Sequence, residues 1–341
     1  MVTRRTLLAL TMLLAAHSGI AQPPARPPAS PPASPPVSLQ GTQVEVILFP
    51  SATAAAIYVG VEKGFYAKEG LDVRLNATPD AATLVSGLAG GAYQVAVALA
   101  DNFVAYQQGQ HAVPKSPDHD LAIVMGLATS SATLMARTEI SSIAALRGKR
   151  IGVDAPQTGL AFVLYEMLND AGLHEGDYDL ALSGSTQKRA LALTRGDIDA
   201  TALTAEFAED AAQHGMRVLA HSSSRLPSYM GMVLAVDKRW AEHNRDELRA
   251  FIRATLRATQ WLVQPTNQSA TAAIMSGPLK MSPSQIERSL KTLLDEHALM
   301  LDGHIDGAGF DTVLNLRARY GKPPHPMPSS AQFLDLSYLT K

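Results

Sequence analysis

The segment Ile57–Leu75, IYVGVEKGFYAKEGLDVRL, reads as a helix, a stop and a strand, in that order. Ile57, Val61 and Phe65 recur at fourfold spacing, which marks one buried face of a helix over residues 54–69. Gly70 then closes the helix, because glycine tolerates the left-handed conformation that a C-terminal cap requires. Asp72–Leu75 reads as the strand that follows, and Val44–Phe49 as the strand that precedes. A strand, a helix and a second strand in succession argue for helices layered on a largely parallel sheet.

Working outward, the pattern continues as helix Ala81–Gly90, strand Gln94–Leu99, helix Asn102–Gln108 and strand Leu121–Leu127. A second unit follows the same logic. It runs through strand Thr133–Arg137, helix Ile143–Leu146, strand Arg150–Val153, helix Leu160–Ala171 and strand Leu180–Leu182. It then continues through helix Gln187–Arg195, strand Ala200–Leu203, helix Glu206–His214 and strand Arg217–Ala220. Repetition of one plan implies two lobes. Met230–Val236 reads as a strand returning to the first lobe, after which helices dominate. The longest, Arg245–Val263, carries Leu248, Phe251, Ile252, Leu256 and Trp261 on one stripe, so it should dock on the first lobe with its arginines solvated. The expected fold class is α/β, with each lobe a mostly parallel sheet flanked by helices. Lobe I takes residues 42–131 and 227–341, and lobe II takes 132–226. Two hinge crossings are expected near Ser130–Arg137 and Arg225–Met230.

The N-terminus carries its own signal. Arg4 and Arg5 precede an apolar stretch over Thr6–Ala16. It is shorter than the roughly 20 residues a bilayer span needs, and it fits the roughly 7–15 of a secretory segment. Gly19 and Ala21 supply the small residues of a cleavage site, so residues 1–21 are expected to be a signal peptide and the mature chain to begin at Gln22 in the periplasm. Thr3-Arg4-Arg5-Thr6-Leu7-Leu8 looks like a twin-arginine signal, which leaves the export route open between that pathway and the general secretory one. Residues 22–41 include Pro23–Pro36, PPARPPASPPASPP, an extended proline-rich linker that builds no core. The chain has no cysteine, which excludes an N-terminal lipid anchor, disulfides and thiolate chemistry. A net charge of −2 supplies no field for nucleic acid.

Several segments resemble the nitrate/sulfonate/taurine family of solute-binding proteins, the bilobed type II periplasmic binding proteins that feed ABC importers. They are Ile57–Leu75, Leu146–Val153 (LRGKRIGV), Gly196–Ala200 (GDIDA), Ala250–Trp261 (AFIRATLRATQW) and Asp335–Leu339 (DLSYL). The chain is also similar to proteins that bind thiamine-pyrimidine precursors. The resemblance implies a monomeric receptor that holds a small-molecule ligand in the cleft between two lobes, closes by hinge motion, and hands the ligand to an ABC permease and ATPase in the inner membrane. It implies no cofactor. A receptor that presents its ligand to a membrane sensor remains the alternative, and beyond it an enzyme on the same fold.

In open α/β sheets ligands bind beyond the carboxyl ends of the strands. That rule selects Ser51 and Thr53 after the first strand, Asp101 and Asn102 after the third, and Thr129 and Ser130 after the fourth. In the second lobe it selects Gln157, Thr158 and Gly159, where Thr158 can cap the next helix and Gly159 lets backbone approach a ligand. Thr204 and Glu206 follow the later strand, and Tyr229 sits at the return crossing. Glu206 either answers its helix dipole or, facing the cleft, selects an amine, amide or ring N–H. Arg225 is the one arginine near these loops, which argues against strong bidentate capture of an anion. The ten histidines form no HxxxH or HExxH pair, so no metal is expected, and no GxGxxG, P-loop or GxSxG sequence is present. No catalytic residue is assigned.

Overall fold

The computed structural model describes residues 41–226, 228–323 and 325–339. The expected signal peptide, nearly all of the proline-rich linker and the lobe boundary at Pro227 lie outside the described residues. The strands are β1 (Thr42–Leu48), β2 (Leu71–Ala77), β3 (Val95–Leu99), β4 (Leu121–Thr129), β5 (Thr133–Ala136), β6 (Arg150–Val153), β7 (Asp179–Leu182), β8 (Ala200–Leu203), β9 (Arg217–His221) and β10 (Met230–Asp237). They form two five-stranded sheets in the orders β2-β1-β3-β10-β4 and β7-β6-β8-β5-β9.

Each sheet holds one strand against the grain. β1 pairs parallel with β2 and β3, whereas β10 runs antiparallel between β3 and β4. In the second sheet β6 pairs parallel with β7 and β8, and β5 runs antiparallel to β8 and β9. The two reversed strands, β5 and β10, are the ones the chain enters on passing from one sheet to the other. The first passage is shorter than the sequence suggests, only residues 130–132, because Thr133–Ala136 is already laddered into the second sheet. The passages are bonded to each other: Ser130 N–H donates to Tyr229 O (3.0 Å), and Ala132 N–H donates to Ser222 Oγ (2.8 Å).

Helices cover both sheets: α1 (Ala55–Glu62), α2 (Phe65–Lys68), α3 (Ala81–Ala89), α4 (Ala100–Gln107), α5 (Gly159–Asp170), α6 (Thr186–Arg195), α7 (Ala205–Gln213), α8 (Lys238–His243), α9 (Arg245–Leu262), α10 (Gln268–Leu279), α11 (Pro283–Asp295) and α12 (Gly307–Tyr320). β10, with helices on both faces, is buried along its whole length, which is why it reads as an unbroken apolar run. The helix expected over 54–69 is two helices. Gly64 takes φ 68° and breaks it, and the fourfold stripe fails with it, since Val61 stands 38% exposed while Ile57 is buried. α9 docks on α1 and α2 as expected, with Leu248, Phe251 and Ile252 buried and the Phe251 ring stacked on Tyr66 at 4.6 Å. Its arginines are not simply solvated: Arg253 and Arg257 both bond the carboxylate of Glu69 at the end of α2.

Candidate functional site

At the end of β1 the chain tightens into a short 3-10 turn, which buries Ser51 and Thr53 and sets their hydroxyls 2.9 Å apart. The amide of Ala52, between them, donates to Glu206 Oε1 (3.3 Å) across 154 residues of sequence. Glu206 lies in the first turn of α7, beyond β8 of the other sheet, and is 2% exposed. Loss of solvent raises its carboxyl pKa, against the Ala52 amide that favours the charged form. Glu206 therefore does not answer its own helix dipole alone. It ties the strand ends of the two sheets together.

A second bridge lies at the end of β3. Asp101, in the first turn of α4, is gripped by both ends of the Arg317 guanidinium, through Nε (2.8 Å) and Nη2. Arg317 comes from α12 and is fully buried; its Nη2 also donates to Gln157 O (2.9 Å) in the turn between β6 and α5, and its guanidinium stacks over Phe162 at 4.4 Å. Arg317 Nη1 and the Tyr229 hydroxyl are buried here without a partner among the described residues. Burial of Tyr229 pushes its phenol well up, so it stays protonated. Nearby His111 is pushed down to about 4, by burial first and by Arg317 as well, against the pull of Asp101. Gly159 is required by this packing: a Cβ there would fall 2.3 Å from the Tyr229 hydroxyl and 2.6 Å from Asp101 Cβ.

Other expected site residues are turned to protein backbone. Asn102 donates to Leu99 O (3.3 Å). Thr129 donates through its amide and its hydroxyl to Ala298 O, in the loop after α11. The Ser130 hydroxyl packs against Gly231. Thr158 stands at the N-cap of α5, yet its hydroxyl bonds Ala155 O (3.0 Å) rather than an amide of the helix, so it is not the side-chain cap the sequence suggests.

The space between the sheets is a cavity of about 150 Å³. Phe49 to Ser51 and Ala77 to Pro79 form one wall, from the ends of β1 and β2; Ser185 to Lys188, Thr204 and Phe207 form the other, from the amino ends of α6 and α7. Of the expected site residues only Ser51 and Thr204 line it. Thr78, Ser185 and Thr186 do so unforeseen, although the same strand-end rule, applied to the edge strands β2 and β7, selects them. Beneath the Ser185–Thr186 turn Arg189 is 3% exposed. It donates to Gly184 O (2.6 Å), Thr186 Oγ1 (3.1 Å) and Thr201 Oγ1 (3.2 Å), and so fixes the turn to the end of β8; burial lowers its pKa to about 10. Among the described residues no three His, Asp or Glu side chains converge for a metal ion, and no helix is long and apolar enough to cross a membrane.

The chain is 24% identical over 239 residues to the formylaminopyrimidine-binding protein of Halalkalibacterium halodurans, a match covering 66% of this chain and 68% of that one. A solved structure from Bordetella bronchiseptica RB50 superposes with a TM-score of 0.74 at 19% identity, over 88% of this chain and 96% of that one. The alkanesulfonate-binding protein SsuA from Xanthomonas axonopodis pv. citri, bound to MOPS, gives a TM-score of 0.67 at 15% identity over 88% and 98%. At such identities these structures establish the fold, that of the periplasmic binding proteins. The family model described as NMT1/THI5 like matches residues 51–268, from the β1 turn that holds Ser51 to the first residue of α10, and the chain belongs to that family.

Proposed function

We propose that this chain is an exported receptor that captures a small organic solute between two lobes and delivers it to an ABC permease and ATPase. The solute class is a sulfonate, an aromatic or other carboxylate, or a heterocycle. The observation that carries the reading is the cavity between the sheets, with Ser51, Thr78, Ser185 and Thr204 supplying hydroxyls and Phe49 and Phe207 supplying apolar rings. Mostly apolar walls with a few placed polar groups are what a small-molecule site requires. The role is binding rather than catalysis: the Ser51 hydroxyl has Thr53 as its partner, not a general base. The similarity to a formylaminopyrimidine-binding protein and to an alkanesulfonate-binding protein supports the same solute range.

The test is a thermal-shift screen of sulfonates, aromatic carboxylates, nitrate, pyrimidines and flavins, followed by calorimetry. A true ligand at 100-fold its dissociation constant adds about 2.7 kcal/mol of stability. Its affinity should fall in Ser51→Ala and Thr186→Val. No stabilisation by any member, or affinity unchanged in both variants, sinks the reading.

A further inference from the structure

A cavity of about 510 Å³ lies apart from the one between the strand ends. It runs along α5 from the Gln157 turn to the loop that precedes β7, and the end of α12 closes its other side. Its volume falls within the roughly 300–1,000 Å³ of small-molecule sites. Three tyrosines give it its character: Tyr165 of α5, Tyr178 ahead of β7 and Tyr320 of α12.

Two of these rings are fixed. The Tyr165 and Tyr320 rings meet edge to face at 5.8 Å. The Tyr165 hydroxyl donates to Pro156 O, and the Tyr320 hydroxyl donates to Glu166 while accepting from Asn169. Tyr178 differs: it is 9% exposed, and its hydroxyl has no hydrogen-bond partner among the described residues. Its ring is packed away, and its hydroxyl, held by no protein acceptor, is left to donate to whatever occupies the cavity. With its pKa raised to about 12, largely by burial, it keeps its proton at neutral pH.

The charges around this cavity argue against an ionic occupant. Arg319 is committed to both carboxylate oxygens of Glu166 (2.7 Å each), and Lys322 to Glu175 (2.8 Å). Each of these two lining cations already faces a carboxylate, so an anionic occupant would have to compete with Glu166 and Glu175, and the chemistry here is unlike that proposed for the cleft. Aromatic walls and one free donor suit a flat ring system with a carbonyl or ring nitrogen.

We propose that this cavity is a second binding site, for an uncharged aromatic molecule of two or three fused rings whose acceptor atom is bonded by Tyr178. α5 follows directly on the turn that Arg317 holds, and α12 carries Arg317 itself. An occupant therefore adds to a contact the two helices already make.

Lumichrome, an uncharged fluorescent three-ring compound with carbonyl acceptors, is the probe. Titrated against the full chain, it should quench saturably at one equivalent. Tyr178→Phe should weaken binding about tenfold. Leu180→Lys, which places a long cation at a half-exposed position of the lining, should abolish it with an unchanged melting curve. Ser51→Ala should leave it unchanged, which separates this site from the cleft. The proposal is overturned by absence of saturable quenching up to the solubility limit, by binding indifferent to both Tyr178→Phe and Leu180→Lys, or by binding lost in Ser51→Ala.

Discussion

At the level of single residues, the arrangement turns on a charge the strand-end rule cannot see. Asp101 is legible as a polar group after β3, but Arg317 joins it from 216 residues away, inside a helix whose local pattern says only that it is amphipathic. The strand ends accordingly look arginine-poor in sequence, whereas the folded chain buries Arg317 among them, paired with Asp101. Removing one partner of a buried pair strands the other, at a cost of about 3–5 kcal/mol, whereas replacing both with apolar groups costs far less. Urea unfolding of Arg317→Met, Asp101→Leu and the double variant should show the double variant losing clearly less than the sum of the single ones. Additivity would mean the pair is not coupled. His111, beside this pair, offers a pH test. Its folded pKa of about 4 lies below the ordinary 6.5, so the unfolded chain binds its proton first. The stability this contributes is present above pH 6.5 and is lost as pH falls toward 4. Urea midpoints across that window should fall less steeply in His111→Gln than in the parent, and parallel curves would exclude His111 as a source of acid sensitivity.

At the level of elements, most of the secondary structure is legible because the strands are short apolar runs and the helices periodic. The boundaries that fail do so for a local reason. α1 and α2 read as one helix since every residue but Gly64 continues the pattern, and a glycine inside a helix is tolerated often enough to be passed over. In the folded chain it stands at φ 68°, where an L side chain is strained. Gly64→Ala should therefore destabilise by about 1 kcal/mol, although helix propensity alone predicts a gain of similar size. The sign of the change in denaturation midpoint decides between them. Thr158 fails for a different reason. A threonine before a helix reads as a cap, but a hydroxyl can equally bond a carbonyl behind it, and here the Ala155 carbonyl takes it.

At the level of the whole molecule, the two sheets are joined by bonds at their strand ends and also by helices α11 and α12, which pack on α7 and α5 and bond them through Arg288, Arg319 and Tyr320. The Ala52 amide to Glu206 and the Arg317 guanidinium to Gln157 O join strand ends that belong to different sheets, while the passages near Ser130 and Tyr229 keep the chain continuous between them. A solute that bonds both walls of the cleft adds to these bridges and shifts the population toward the closed form. Glu206→Ala removes an acceptor and should favour separation, whereas Glu206→Gln keeps an oxygen for the Ala52 amide. Small-angle scattering should then give a larger radius of gyration for Glu206→Ala than for the parent, with Glu206→Gln close to the parent. All three should compact when saturated with a ligand found by the screen. Apparent affinity should fall in Glu206→Ala by about tenfold for each ~1.4 kcal/mol the closed form loses. The raised carboxyl pKa supplies an independent sign. A carboxyl whose pKa rises on folding contributes most below the ordinary carboxylate range and loses that contribution as pH climbs, so Glu206→Gln should gain on the parent in stability between acid and neutral pH. If the radius is indifferent to Glu206→Ala and unchanged by saturating ligand, the two sheets do not move as hinged lobes.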